Sequence, residues 1–115
     1  MGDFYNQVIS DHPLLTDEEA VTLVSLYQNS SSDSQKKRLK EKIVNHNLRM
    51  VLHLSNKIRC PRASSCDLVQ EGIIGLMNAI EKFDAEAGSK FSSYAYLWVK
   101  AYMLRYTMKN YFFGK

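Results

Sequence analysis

An all-α chain, folded as a compact helical bundle of about four helices, is predicted by three observations. Apolar residues recur at helical spacing in four segments, helix-start signals precede them, and no stretch alternates apolar with polar residues at the period of a strand. The 115 residues, 45% of them hydrophobic, suit a single domain over 1–115 with one modest core.

The first helix, within 14–30, starts at Thr16. Asp17, Glu18 and Glu19 follow as a capping box with acids in the first turn, and Ala20, Leu23, Val24 and Tyr27 form the apolar stripe. Asn29 and three serines end it. The remaining core helices are expected over 34–113. A second helix is predicted from Ser34 to Ile58, with Leu39, Ile43, Met50, Val51, Leu54 and Ile58 on one side and Val44, Leu48 and Leu52 widening the stripe. So wide a stripe implies a central helix touched by several neighbours. Pro61 closes this segment, and Ser64 or Ser65 caps a third helix carrying Val69, Ile73, Leu76, Met77, Ile80 and Phe83. Gly72 and Gly75 lie inside that helix, where each costs up to about 1 kcal/mol relative to Ala, so a close helix-to-helix approach is expected there. Gly88 breaks the chain, and Ser92 or Ser93 is the expected cap of the fourth helix.

Charge alternates along the chain. Residues 1–35 carry six acids and no Lys or Arg, 36–62 carry nine Lys or Arg against one acid, 63–89 return to net −4, and 90–115 hold five basic residues and no acid. Such blocks suit one face for a polyanion and another for a basic protein partner, or simply solvated helix faces. No run of about 18 apolar residues is long enough to span a bilayer and no secretory leader pattern is present, so an intracellular chain is expected. Cys60 and Cys66 with His12, His46 and His53 lack metal-ligand spacing; no metal and no cofactor are expected, and the thiols read as buried or idle in a reducing cytosol.

Residues 91–113 hold nine of the chain's aromatic residues, three cations and no acid. On a helical wheel they divide into two stripes. Ala95, Val99, Tyr102, Met103 and Tyr106 form an uncharged core stripe; Tyr94, Trp98, Ala101, Arg105, Lys109 and Phe112, with Leu97 at the edge, alternate rings with cations. Rings with cations suit unstacked bases with phosphates, whereas the plainer reading is basic side chains lying beside surface aromatics.

The stretch from Asp67 through Gln70-Glu71-Gly72-Ile73-Ile74-Gly75-Leu76 to Met77, then Ala79, Lys82-Phe83, Gly88, Lys90-Phe91-Ser92-Ser93-Tyr94-Ala95 and Trp98, closely resembles domain 2 of bacterial sigma-70 family transcription initiation factors. Leu15-Thr16-Asp17-Glu18-Glu19 resembles the start of the helix preceding that domain, and Asn47-Leu48-Arg49-Met50-Val51 the opening of its first core helix. The tail from Trp98 through Tyr106 and Asn110 to Lys115 looks more like the heat-shock group than the housekeeping group.

The resemblance implies a non-enzymatic, cytoplasmic protein, at the nucleoid when bound to polymerase. It would join core RNA polymerase, recognise the −10 promoter element and help melt it by capturing flipped bases of the non-template strand. By position, Phe83, Asp84 and Tyr94 would form the adenine pocket, with Tyr94 as its platform. Asn47 and Met50, with Arg49 nearby, would line a second pocket, and Leu97 and Trp98 would meet the last closed base pair. Lys100 and Arg105 would neutralise phosphates, with Lys90 and Lys109 adding to the field. Asp67, Gln70, Glu71 and Met77 match positions that contact the clamp coiled coil of the β′ subunit. An anti-sigma factor is a further partner of the kind the family has.

Departures from the pattern carry information too. Leu97-Trp98 stands where housekeeping members place two tryptophans; Ala101 and Leu104 replace polar side chains that read the upstream base pair, Ile73 replaces an Asn, and Ala85, Glu86, Ala87 and Ser89 replace a basic and aromatic segment. No helix-turn-helix signature follows Lys115, so the chain is expected to be a fragment of a longer factor. Two rival classes fit parts of the sequence: a basic amphipathic membrane-surface module, and a generic helical DNA-binding or protein-interaction module.

Overall fold

The computed structural model describes residues 2–58 and 65–112, with side chains for 4–58 and 67–110. Among the described residues there are six α-helices and no strand: α1 (Gly2–Asp11), α2 (Asp17–Asn29), α3 (Asp33–His46), α4 (Leu48–Lys57), α5 (Ser65–Lys82) and α6 (Phe91–Phe112), with a 3-10 turn at Ala85–Ala87. The all-α prediction holds, but six helices replace about four.

Two features account for the difference. α1 lies ahead of the first predicted helix, and its Phe4, Tyr5, Val8 and Ile9 form two i, i+4 pairs, too few to stand out by periodicity. Tyr5 is buried, and Val8 and Ile9 pack on the core. The predicted helix from Ser34 to Ile58 is two helices. At Asn47 the backbone leaves helical geometry (φ −106, ψ 5), and the side-chain Nδ2 donates to the Ile43 carbonyl at 2.8 Å. An Asn offers the backbone a local partner that competes with the helix, and the apolar stripe running on across the break hides it.

α2 begins as predicted. The Glu19 amide donates to Thr16 Oγ1 at 3.1 Å, and the Thr16 amide donates to Glu19 Oε1 at 2.9 Å. α6 starts earlier than its serines suggest, since the Tyr94 amide donates to the Lys90 carbonyl at 3.1 Å and Ser92 and Ser93 sit exposed in the first turn. Phe91, fully buried with its ring 5.2 Å from that of Phe83, fixes that start. The expectations placed on Cys60, Pro61, Ser64, Phe113 and Lys115, and on the side chains of Ser65, Cys66 and Phe112, lie outside the described residues and side chains.

The centre is the antiparallel pair α5 and α6, which share the most extensive packing of any two helices. Gly72 and Gly75 set their spacing: a methyl on Gly75 would lie 2.7 Å from the Trp98 carbonyl oxygen, and one on Gly72 would lie 2.5 Å from the Met103 methyl. Val69, Leu76 and Ile80 of α5 meet Ala95, Val99 and Met103 of α6 in the core, with Ile43, Val51 and Leu54 from α3 and α4. His46 Nδ1, 2.7 Å from the Pro13 carbonyl, and the edge-on contact of its ring with His12 tie the α1 to α2 loop to α3.

Candidate nucleic-acid interface

Rings follow one another in tilted and edge-on contacts along the α5 to α6 junction. Phe83, at the end of α5, is buried, and Tyr94 tilts over it with centroids 5.5 Å apart. Tyr94 meets Trp98 at 6.3 Å, Trp98 meets Tyr102 at 6.2 Å, and the Arg105 guanidinium sits over the Tyr102 ring at 4.5 Å. One turn of helix separates successive members from Tyr94 to Tyr102, so their rings follow one another along a single face. A hollow of about 400 Å³ opens beside this ladder, lined by Leu97, Trp98, Ala101, Tyr102 and Arg105.

Two expectations about the wheel need correcting. Tyr94, taken as a surface ring, is half-buried on the core, and its hydroxyl donates to the Lys82 carbonyl at 3.3 Å. Tyr102, assigned to the core stripe, is half-exposed, joins the ladder and accepts from Asn78 Nδ2 at 2.9 Å. Tyr94 departs from the wheel because its ring packs on Phe83 at the end of α5, and Tyr102 because it is its Cβ that meets α5, beside Gly75. Tyr106 is half-buried too, while Ala95, Val99 and Met103 are fully buried as the stripe predicts.

The other predicted base-pocket residues are positioned by local structure. Asp84 is exposed and caps the 3-10 turn, its Oδ1 accepting from the Glu86 amide at 3.0 Å. Asn47 and Met50 are half-buried at the start of α4. Arg49, expected near the second pocket, is half-buried: its Nη2 donates to the Ile9 carbonyl of α1 at 3.5 Å, and its Nη1 is buried without a hydrogen-bond partner among the described residues. Lys90 leans toward Asp17 of α2 at 3.7 Å. Lys100 lies over the Tyr96 ring at 5.8 Å, and Lys109 is exposed.

On α5 the outward face carries Asp67 and Gln70, exposed, with Glu71 half-buried and Met77 half-buried at its border. Ile74, which no charge pattern could single out, is 42% exposed in the middle of that face. Gln28 is a second residue that sequence reasoning missed. Its Nε2 donates to the Ile80 carbonyl at 3.0 Å and to the Phe83 carbonyl at 2.9 Å, which otherwise end α5 without helical partners. Nearby, the Tyr27 hydroxyl donates to Glu81, and Lys40 pairs with the same carboxylate at 3.0 Å. The Tyr27 bond first, and Lys40 after it, hold the Glu81 carboxyl below its ordinary value, against the opposing effect of burial.

An all-helical protein with a ladder of rings ending in a cation on one helix, and a carboxylate-bearing face on the helix packed beside it, is the class that fold and site define. The Sigma-70 region 2 family model matches residues 43–111. Similar proteins include RNA polymerase sigma factor SigA4 of Synechococcus elongatus, 36% identical over 118 aligned residues that cover 89% of this chain and 38% of the relative. SigA of Clostridium acetobutylicum is 35% identical over 101 residues, covering 88% and 25%, and SigA of Microcystis aeruginosa is 46% identical over 69 residues, covering 60% and 17%. The chain therefore belongs to the sigma-70 family. It spans less than half the length of these curated relatives.

Proposed function

We propose that the chain acts in transcription initiation, as the part of a sigma factor that joins core RNA polymerase and captures unstacked −10 bases of the non-template strand. The observation that carries this reading is the ladder from Phe83 through Tyr94, Trp98 and Tyr102 to Arg105, on a segment with no acid from Lys90 onward. A base leaving the duplex loses stacking worth a few kcal/mol, and a ring offered at the right height restores about 1 to 3 kcal/mol of it. Tyr94 is the platform, Phe83 its buried floor, and Asp84 the polar wall; Leu97 and Trp98 face the last closed base pair. Lys100, Arg105 and Lys109 supply the field for phosphates, and Lys90 does so once it leaves Asp17. Asn47 and Met50 form the second pocket, with Arg49 supporting it from beneath α1.

The role is one of binding and not of catalysis, and its place is the cytoplasm, at the nucleoid when the complex is on DNA. Residues 1–115 act as one domain, open to control by an anti-sigma factor. The heat-shock subgroup reading rests on the tail from Trp98 alone. No described helix is long and apolar enough to cross a membrane, and the membrane-surface reading leaves the α5 face without a role.

That face gives the test. Asp67, Gln70, Glu71 and Met77 present carboxylates and an apolar border to the clamp coiled coil of β′. The chain should bind core polymerase at one to one, and Asp67→Ala with Glu71→Ala should weaken that binding without loss of helicity. A folded double variant with unchanged affinity would refute the polymerase assignment, and a chain that binds no polymerase at all would refute the sigma reading.

A further inference from the structure

A hydrogen bond crosses from α5 to the far end of the ring ladder. Asn78 Nδ2 has two hydrogens to give and makes two bonds: it donates to the Ile74 carbonyl one turn back in its own helix at 3.1 Å, and across to the Tyr102 hydroxyl at 2.9 Å. The first bond fixes the amide, so the second holds the hydroxyl at a defined point. Tyr102 is thereby gripped at both ends by α5. Its Cβ packs so closely on Gly75 that a methyl there would lie 3.2 Å from it, and its hydroxyl is tied to Asn78 on the same helix. A tyrosine side chain turns about two bonds, and with both of its ends held the ring keeps one orientation.

That orientation matters because the neighbouring side chains rest on this ring. The Trp98 ring lies 6.2 Å from it, tilted by 31°, and the Arg105 guanidinium sits over it at 4.5 Å. Trp98, Tyr102 and Arg105 together wall the hollow beside the ladder.

We propose that Asn78 is a positioning residue of the interface: through the Tyr102 hydroxyl it sets the ring that orients Trp98 and carries Arg105. The inference rests on the −10 reading above, in which Trp98 meets the last closed base pair and Arg105 a phosphate, and adds to it the bond that aims them. Asn78 acts from behind the ring, without touching DNA. A side chain aimed in advance gives up less freedom when its ligand arrives, so the bond contributes to DNA affinity as well as to stability.

Trp98 is the chain's single tryptophan, so its fluorescence reports on this arrangement directly. The variants to compare are Asn78→Ala, Tyr102→Phe, which keeps the ring and removes only its hydroxyl, and the two together. In the free chain, each single variant should raise acrylamide quenching of Trp98 and lower its emission anisotropy, with helicity by circular dichroism unchanged. In complex with core polymerase, each should weaken binding of a forked −10 DNA probe about fivefold, the worth of one hydrogen bond. The double variant should lose no more than either single one, because both substitutions remove the same bond. Trp98 quenching unchanged in both single variants, whatever their thermal midpoints, would reduce the pair to a structural bond and overturn the proposal. A freed Trp98 with forked-DNA affinity unchanged, or losses that multiply in the double variant, would overturn it as well and leave the −10 function standing. A wild-type complex that forms with polymerase but binds no forked probe would overturn the −10 function itself, and this proposal with it.

Discussion

Tyr94 is held on two sides. Its inner edge rests on Phe83 and its hydroxyl is held by the Lys82 carbonyl, while it remains half-exposed beside Trp98. In the proposed role, a ring fixed on two sides would be a pre-oriented platform, with little ordering cost left to be met when a base binds. Tyr94→Phe keeps the ring and removes a long hydroxyl bond, so both stability and single-stranded −10 binding should change by less than about 1 kcal/mol. Tyr94→Ala removes packing and platform together. It should cost about 1 to 2 kcal/mol in a denaturant titration and, among molecules still folded, a further 1 to 3 kcal/mol in binding the single strand. Val99→Ala separates the effects, because Val99 is fully buried in the α5 to α6 seam: about 2 kcal/mol of stability should go, with base binding affected only through folding. A Tyr94→Ala protein that binds the single strand as tightly as wild type, per folded molecule, would remove the ring from the interface.

Among the elements, α5 and α6 form the frame on which every base-contacting candidate except Asn47, Arg49 and Met50 hangs, and two glycines decide how closely they pack. Their two contacts differ in kind. A methyl on Gly72 meets the far end of the flexible Met103 side chain, which can turn aside; a methyl on Gly75 meets the Trp98 backbone carbonyl, which can move only with the helix. Gly72→Ala should therefore be mild, as the gain in helix propensity of about 1 kcal/mol offsets some repacking. Gly75→Ala should cost about 1 to 3 kcal/mol and shift Trp98 against Tyr94, visible as a changed tryptophan emission. Equal thermal midpoints for the two variants would show that α6 yields freely. Sequence alone points to this close approach, because glycine weakens an apolar helix unless a neighbouring helix fills the space of the missing side chain. The capping box at Thr16 is legible for a similar reason, since its chemistry lies within four residues. What escapes the sequence depends on distant or single-residue events. The break at Asn47 is made by one amide turning back on Ile43, the anchoring of Arg49 by a helix forty residues upstream, and the role of Gln28 by carbonyls at the far end of another helix. Periodicity carries none of these.

The whole molecule is held together at the end of α5, where three helices converge just beneath the ladder. Gln28 of α2 satisfies the Ile80 and Phe83 carbonyls, and Glu81 joins Tyr27 of α2 to Lys40 of α3. The Tyr27 ring lies under the ammonium groups of Lys36 and Lys40, at 4.6 and 5.4 Å. α2 precedes the segment matched by the family model, so this knot links it to the floor of the proposed base pocket. Its charge makes the link dependent on pH. Glu81 is held below the ordinary 4.5, chiefly by the Tyr27 hydroxyl, with burial opposing and Lys40 assisting. A carboxylate whose folded value is depressed contributes stability that is present above its unfolded value and is lost as pH falls through the folded one. For Lys40, burial acts to lower the value but is outweighed by the bonds to Glu81 and Tyr27, so it is raised above 10.5 and its contribution is lost only as pH rises past that. Between those limits the knot should contribute a constant amount. Because the Glu81 side chain is 45% exposed and that of Lys40 30%, solvent screening keeps the contribution within about 1 kcal/mol. Glu81→Gln should therefore lower the urea midpoint modestly at neutral pH. The gap from wild type should narrow as the pH falls below about 4.5 and close once both proteins carry a neutral group at 81. A gap that stays constant down to acid unfolding would mean that shape and packing, not the ionised carboxylate, hold α2 against α5.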